Sequence, residues 1–331
     1  SSRGMGGRRP WDAIVVGGGV VGCAVLRELT VNLGWRVLMV EASPHLAAGA
    51  SSGNTGIACT ASDVVPGTLE HACLVEGTRL NLPTYRALNV PHRAAGSMYV
   101  AHSTAELTAL EAEQRARRLR GDSSSTMLSA SEASAREPGL SATVLGALYV
   151  PSEVVVDPWL VPLAYARHAH ENGAVIRRDT ELIAAAWEGG YWALRLSSAQ
   201  AGPAEEVQKA SLVVACGGLR GDELEALHRT PPFAITPRRG DYVLFDESAV
   251  LGGCPLGQVP SKASRGAYVW RSVHGVVACG PTAEPVRERT TPPSATHPSV
   301  SHLLSAAAAR CLPSLTGAPV ATTYAGLRPG S

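Results

Sequence analysis

The chain has 331 residues, 45% of them apolar, which is enough for roughly two packed domains. Its formal net charge is +1, with 29 Lys and Arg against 28 Asp and Glu, so it lacks the single-signed surface that nucleic acid or an anionic membrane selects. The seven cysteines form no Cys-x-x-Cys pair and no Cys/His cluster at zinc spacing, which reads as mostly buried thiols in a reducing compartment and no metal site.

The first residue is Ser, so the native start is expected to lie outside this sequence. Arg8-Arg9 followed by the apolar stretch from Ala13 to Leu26 imitates a secretory signal. Glycines at 17, 18, 19 and 22 interrupt that stretch, and it runs into Arg27-Glu28 without a small-residue cleavage site, so a mechanical role for the glycines is the better reading. No charge-free apolar run of about 18 residues predicts a transmembrane helix.

Residues 11–41 read as strand, glycine turn, helix and strand: Asp12 to Val16, Gly17 to Gly22, a helix stopping at Gly34, then Arg36 to Val40. A helix from about Gly67 to Leu88, a strand at Gly96–Val100 and a charged helix at Thr104–Leu119 follow. A second α/β unit begins at Val154, with a helix from Asp157-Pro158 to Asn172-Gly173. Ala174–Arg177, Thr180–Glu188 and Tyr191–Leu196 read as hairpin strands, and Ala210–Cys216 as a buried strand. After Pro231-Pro232 the pattern turns antiparallel, with strands at Gly240–Phe245, Ala267–Arg271 and Val276–Gly280. A helix at Ser299–Cys311 and a strand from Ala321 close the chain.

Gly17-Gly-Gly-Val-Val-Gly22 satisfies G-x-G-x-x-G between a strand and a helix. Its glycines permit a tight turn and close backbone approach to a pyrophosphate, which the partial positive charge of a helix N-terminus favours. Glu41 ends the second strand about 20 residues on, where a carboxylate can accept hydrogen bonds from an adenosine ribose. Together these features predict a dinucleotide site. The segment Ala47-Ala-Gly-Ala-Ser51-Ser52-Gly53-Asn54-Thr55-Gly56-Ile57 then packs hydroxyl and amide side chains among glycines, where a nicotinamide fold would continue into further βα units. FAD is the expected cofactor.

On these residues the chain resembles the D-amino-acid-oxidase superfamily of FAD-dependent oxidoreductases, in particular its branch of FAD-linked glycerol-3-phosphate dehydrogenases and 2-hydroxyglutarate oxidases. The resemblance runs from Asp12 to Pro329. It implies an α/β fold in which a Rossmann-like FAD-binding domain of the glutathione-reductase type is interleaved with an antiparallel-sheet substrate domain. The implied division is FAD-binding at 11–88, substrate at 89–150, FAD-binding at 151–230, substrate at 231–320, and the start of a final FAD-binding segment at 321–331.

The resemblance assigns Gly17, Gly19, Val20, Gly22 and Glu41 to adenosine and pyrophosphate, and Ser51, Ser52, Asn54 and Thr55 to the path toward the flavin ring. It places an adenine contact at Leu182 and a further FAD-facing turn at Gly217. Leu327-Arg328-Pro329 resembles the strand end whose arginine binds the substrate's anionic group, and Lys262 and Tyr242 are further pocket candidates. No flavin-linking residue is assigned, so the FAD is expected to be noncovalent.

The implied reaction passes hydride from a small anionic hydroxy compound to the flavin, with an electron acceptor (oxygen, a quinone or an electron carrier) and a compartment that the sequence leaves open. A small amino acid is the alternative substrate. Relatives often carry a catalytic histidine after the Asn-Ser-Gly stretch where this chain has Cys59; His168, His170 and His274 offer no replacement, so no base is assigned. Family members also continue past Leu-Arg-Pro into a glycine-rich loop and a helix whose N-terminus faces the flavin. Ending at Ser331 leaves two readings: a truncated enzyme, or a non-catalytic flavin-fold protein.

Overall fold

The structure is a computed structural model that describes residues 9–60, 64–198, 205–246, 252–259, 266–290 and 298–330. The chain opens with β1 (Trp11–Val16), α1 (Val20–Arg27), a π turn at Glu28–Asn32 and β2 (Val37–Val40). Next come β3 (Ile57–Ala58), α2 (Leu69–Ala87), β4 (His92–Arg93) and β5 (Ser97–Ala101). They lead into α3 (Thr104–Leu119), β6 (Thr126–Ser129), α4 (Ala130–Arg136) and β7 (Gly146–Val150).

The middle of the chain carries β8 (Val154–Val156), α5 (Leu160–Glu171), β9 (Val175–Arg177) and β10 (Thr180–Glu188). They are followed by β11 (Tyr191–Ser198), β12 (Glu206–Ala215) and α6 (Gly221–Glu225). The last part holds β13 (Thr236–Phe245), β14 (Leu256–Gln258), β15 (Tyr268–Arg271) and β16 (Val277–Gly280). It ends with β17 (Glu284–Pro285), α7 (Pro298–Cys311) and β18 (Val320–Gly330).

A six-stranded sheet runs β10-β11-β12-β1-β2-β9, with β12, β1, β2 and β9 parallel. Ala13, Ile14 and Val15 are fully buried, because a central parallel strand is covered on both faces. Ala13 and Val15 pack beneath α1 and α5, whereas Ile14 packs with Leu38, Leu182 and Leu194 on the other side. A second sheet runs β17-β13-β16-β15-β14-β5-β7-β6, with β18 paired to β13. It is antiparallel apart from the β14–β5 pair. A small sheet, β3-β8-β4, completes the described strands. Strands of the two large sheets alternate along the chain, so the two units interleave.

Three placements add to or depart from the sequence reading. Ala174–Arg177 does not join the hairpin: β9 pairs in parallel with β2, Leu38 opposite Val175, because α5 crosses over and returns the chain to the far edge. The last strand belongs to the second sheet by its pairing. β18 lies antiparallel along β13 from Thr236 opposite Gly330 to Phe245 opposite Val320, which satisfies β13's backbone groups within the second sheet. Residues 130–136, to which the sequence reading gives no element, form α4, whose capping box reciprocally joins Ser129 and Glu132.

Candidate active site

The glycine turn is built by close approach. Gly17 has φ +110°, and a Cβ there would overlap the Cys216 carbonyl at the end of β12. A Cβ on Gly22 would overlap the Gly17 carbonyl, so the two glycines let α1 start directly against the strand ends. The first turn of α1 holds no acidic residue, and Gly19 supplies no side-chain cap. The Val20 N–H donates to Ser51 Oγ at 2.9 Å, which draws the 47–57 loop over the helix N-terminus.

Glu41 takes the end of β2. Its Oε2 accepts the Gly18 N–H at 2.6 Å and its Oε1 the Ser43 N–H at 2.8 Å. A carboxylate offers about four acceptor positions, so capacity remains toward a hydroxyl-bearing ligand. Glu41 lines a concavity of about 200 Å3 together with Gly17, Leu182, Gly217, Arg220 and Leu224. A larger cavity of about 730 Å3 is lined by Gly19, Val20, Ser51, Asn54, Tyr85 and Phe233 among others. Gly217 lines both, so the two hollows adjoin there beside the N-terminus of α1, and together they make up the trough. That shape and its donors fit an extended dinucleotide.

Within the 51–56 loop the roles divide. Asn54 accepts the Gly56 N–H at 2.8 Å, donates to the Ser51 carbonyl at 2.8 Å, and lines the larger cavity. Ser52 donates to the Gly49 carbonyl at 3.0 Å and Thr55 accepts the Ile57 N–H at 3.2 Å. These two hydroxyls hold the loop's own turns, and neither residue lines the trough. Gly22 acts inside the turn.

The larger cavity is lined by no charged side chain among the described residues. Burial pushes the Tyr85 phenol and the Cys216 thiol above their ordinary ranges. The Cys23 thiol, behind the turn, is pushed up to about 12 by burial and by Glu41, so none of these groups supplies a thiolate or phenolate. Cys59 is partly buried, with its thiol 3.6 Å from the Ile57 carbonyl.

Of the substrate candidates, Arg328 and Tyr242 lie among the described residues. Arg328 is exposed at the end of β18, its Nη2 donating to the Thr282 carbonyl at 2.9 Å, next to Pro329 on the cavity wall. Tyr242 does not line either cavity. It is 2% exposed and stacks on Tyr324, its cross-strand partner, with centroids 4.3 Å apart. Burial pushes its phenol up to about 12, against the opposing influence of Arg328. Lys262 lies outside the described residues.

Several lining residues escaped sequence reasoning: Tyr85 on α2, Pro158, and Phe233 and Ile235 after the double proline. Phe233, 42% exposed in a loop otherwise shaped by prolines, was the readable signal. An unforeseen clasp holds that wall. The Arg289 guanidinium binds both carboxylate oxygens of Asp222 and also donates to the Leu219 carbonyl at 2.8 Å and the Ile235 carbonyl at 3.2 Å.

Residues 12–331 match the family described as FAD dependent oxidoreductase. The chain is 28% identical over 282 residues to the glycerol 3-phosphate dehydrogenase of Caloramator mitchellensis, covering 85% of this chain and 57% of that protein. It is 30% identical over 240 residues to the mitochondrial L-2-hydroxyglutarate dehydrogenase of Caenorhabditis elegans, covering 71% of this chain and 54% of that one. The chain thus spans little more than half the length of these relatives. The FAD-bound L-α-glycerophosphate oxidase of Mycoplasma pneumoniae superposes with a TM-score of 0.86 at 25% identity, over 97% of this chain and 83% of its own. The chain therefore belongs to the family of FAD-dependent oxidoreductases.

Proposed function

We propose that this protein holds FAD noncovalently and oxidises a small anionic hydroxy compound, glycerol-3-phosphate or a 2-hydroxy acid. The trough that turns past the α1 N-terminus at Gly217 carries this reading. Glu41 would receive the ribose hydroxyls, Leu182 the adenine, and the backbone of Gly17 and Gly19 with Val20 the pyrophosphate. Ser51 and Asn54 would hold the approach to the flavin, and the apolar surfaces of Ile57, Tyr85 and Phe233 would flank its ring. When bound, FAD supplies a two-electron acceptor for hydride.

The chain's own residues position and exclude. Arg328 would fork onto the substrate's carboxylate or phosphate, and Lys262 would add a second positive charge. The larger cavity would present an uncharged wall to the carbon that gives up hydride. The relatives named for glycerol 3-phosphate and L-2-hydroxyglutarate support this substrate class.

Cys59 favours a second reading, oxidation of a small amino acid, because an amine delivered in its neutral form needs no side-chain base whereas a hydroxyl does.

An absorbance spectrum with added FAD, followed by anaerobic glycerol-3-phosphate, 2-hydroxyglutarate and small amino acids, tests both. Bleaching of bound flavin by one of the first two supports the hydroxy-compound reading, and bleaching by an amino acid alone replaces it with the second. A chain that retains no flavin overturns both.

A further inference from the structure

A third concavity, of about 380 Å3, lies on the second sheet and shares no lining residue with the trough. Arg93, Ala95, Arg136, Tyr149, Gly253 and Cys254 line it. Its volume falls at the low end of small-molecule sites, roughly 300–1,000 Å3. Tyr149 and Cys254 pack with Met98 and Val100, whereas the alternate residue Tyr99 packs with Ile57 on the trough side. Successive strand residues face opposite ways, so this concavity opens on the sheet face away from the trough.

The two charged side chains that line it, Arg93 and Arg136, are both positive. The Arg136 guanidinium lies 4.2 Å over the Tyr149 ring, and the nearby Glu132 serves the capping box of α4 with its carboxylate on the Ser129 N–H at 2.8 Å. Arg93 donates through Nη2 to the Arg271 carbonyl at 2.6 Å, while its buried Nε has no hydrogen-bond partner. Burial and the neighbouring Arg271 both disfavour its charge. Glu137 and the buried Glu153 both act electrostatically on Cys254 in the lining, and Glu137 accepts the Gly252 N–H through both oxygens, at 2.9 and 2.7 Å. Burial pushes the Glu137 carboxyl above its usual range. Neither Arg93 nor Arg136 has a carboxylate within ion-pair distance among the described residues.

We propose that this concavity is an anion site separate from the trough, taking a compact oxyanion of the phosphate class between Arg93 and Arg136. Two guanidiniums at one hollow, one with a buried N–H left over, supply charge-assisted donors that match an oxyanion. The aromatic face of Tyr149 fixes the Arg136 plane, so little side-chain entropy is lost on binding.

The test is a thermal-shift titration of the FAD-saturated chain with inorganic phosphate, using wild type, R93Q, R136Q, A95E and R328Q. The wild type is expected to show a saturable rise in Tm. R93Q and R136Q should need about tenfold more phosphate for the same shift. A95E, which sets its own carboxylate between the arginines, should show no shift. The Tm of each variant without phosphate reports folding, and A95E decides if an arginine variant does not fold. An unchanged response in R93Q, R136Q and A95E overturns the site, as does a response lost only in R328Q, or no response in wild type up to about 50 mM. Repeating the titration with phenyl phosphate separates the two forms of the ligand: a tighter response means a phosphate monoester, a weaker one free phosphate.

Discussion

Gly53 and Gly326 lie backbone to backbone: a Cβ on either would overlap the other's main chain. Tyr324, two residues before Gly326, donates its hydroxyl to the Asn54 carbonyl at 3.1 Å. These contacts seat β18, a strand of the second sheet, on the loop that covers the α1 N-terminus. G326V should therefore push the loop off its seat, costing about 1–3 kcal/mol of stability and weakening FAD retention. Denaturant unfolding and flavin content after gel filtration check both effects, and a fully stable, flavin-loaded G326V would contradict the seating.

Glu41 joins the glycine turn to the end of β2. Removing it in E41A leaves the Gly18 and Ser43 N–H groups without their acceptor and would remove the ribose contact proposed for it. A charged hydrogen bond is worth about 1.5–3 kcal/mol, so FAD affinity should fall on the order of tenfold to a hundredfold in a fluorescence titration. E41Q should recover part of that, since one amide oxygen still accepts.

The Asp222 clasp makes a pH prediction. The Arg289 guanidinium, with the Ile235 and Glu223 N–H groups, holds the Asp222 carboxyl well below the usual carboxylate range. A depressed folded pKa gives stability that is fully present above the unfolded value, about 3.9, and is lost as pH falls through the folded value. Wild type should exceed D222N in Tm by a constant margin near neutral pH, and the margin should shrink only below about pH 4. A margin that already falls between pH 7 and 5 would assign the effect to another group.

Arg328 is exposed and engages only a backbone carbonyl among the described residues, so it is free to meet an anion without first breaking an ion pair. R328Q should raise KM for the anionic substrate about 10- to 100-fold while leaving flavin content unchanged. Loss of flavin in R328Q would instead show that the residue supports the cradle.

The sequence by itself determined what depends on near neighbours. The strand, glycine turn and helix at Asp12–Arg27 were legible because a positive φ and an open helix N-terminus are set by the glycines themselves. The helix read from Thr104 to about Leu119 was legible because its ends are set locally: Ser103 accepts the N–H of Glu106 three positions on. Glu41 followed from its distance to the turn, a property of one βαβ unit.

Tertiary structure decided the rest. The apolar run at Val175–Arg177 could equally extend a hairpin or sit at the far edge, and only the α5 crossover against β2 chose. Strand alternation could not say whether Tyr242 meets a ligand or Tyr324, because that depends on the register of two strands some 80 residues apart. The Arg289–Asp222 clasp and the Arg93–Arg136 hollow unite side chains from separate elements. Local pattern records which residues are apolar or charged, whereas pairing and burial over long sequence separations fix which of them meet.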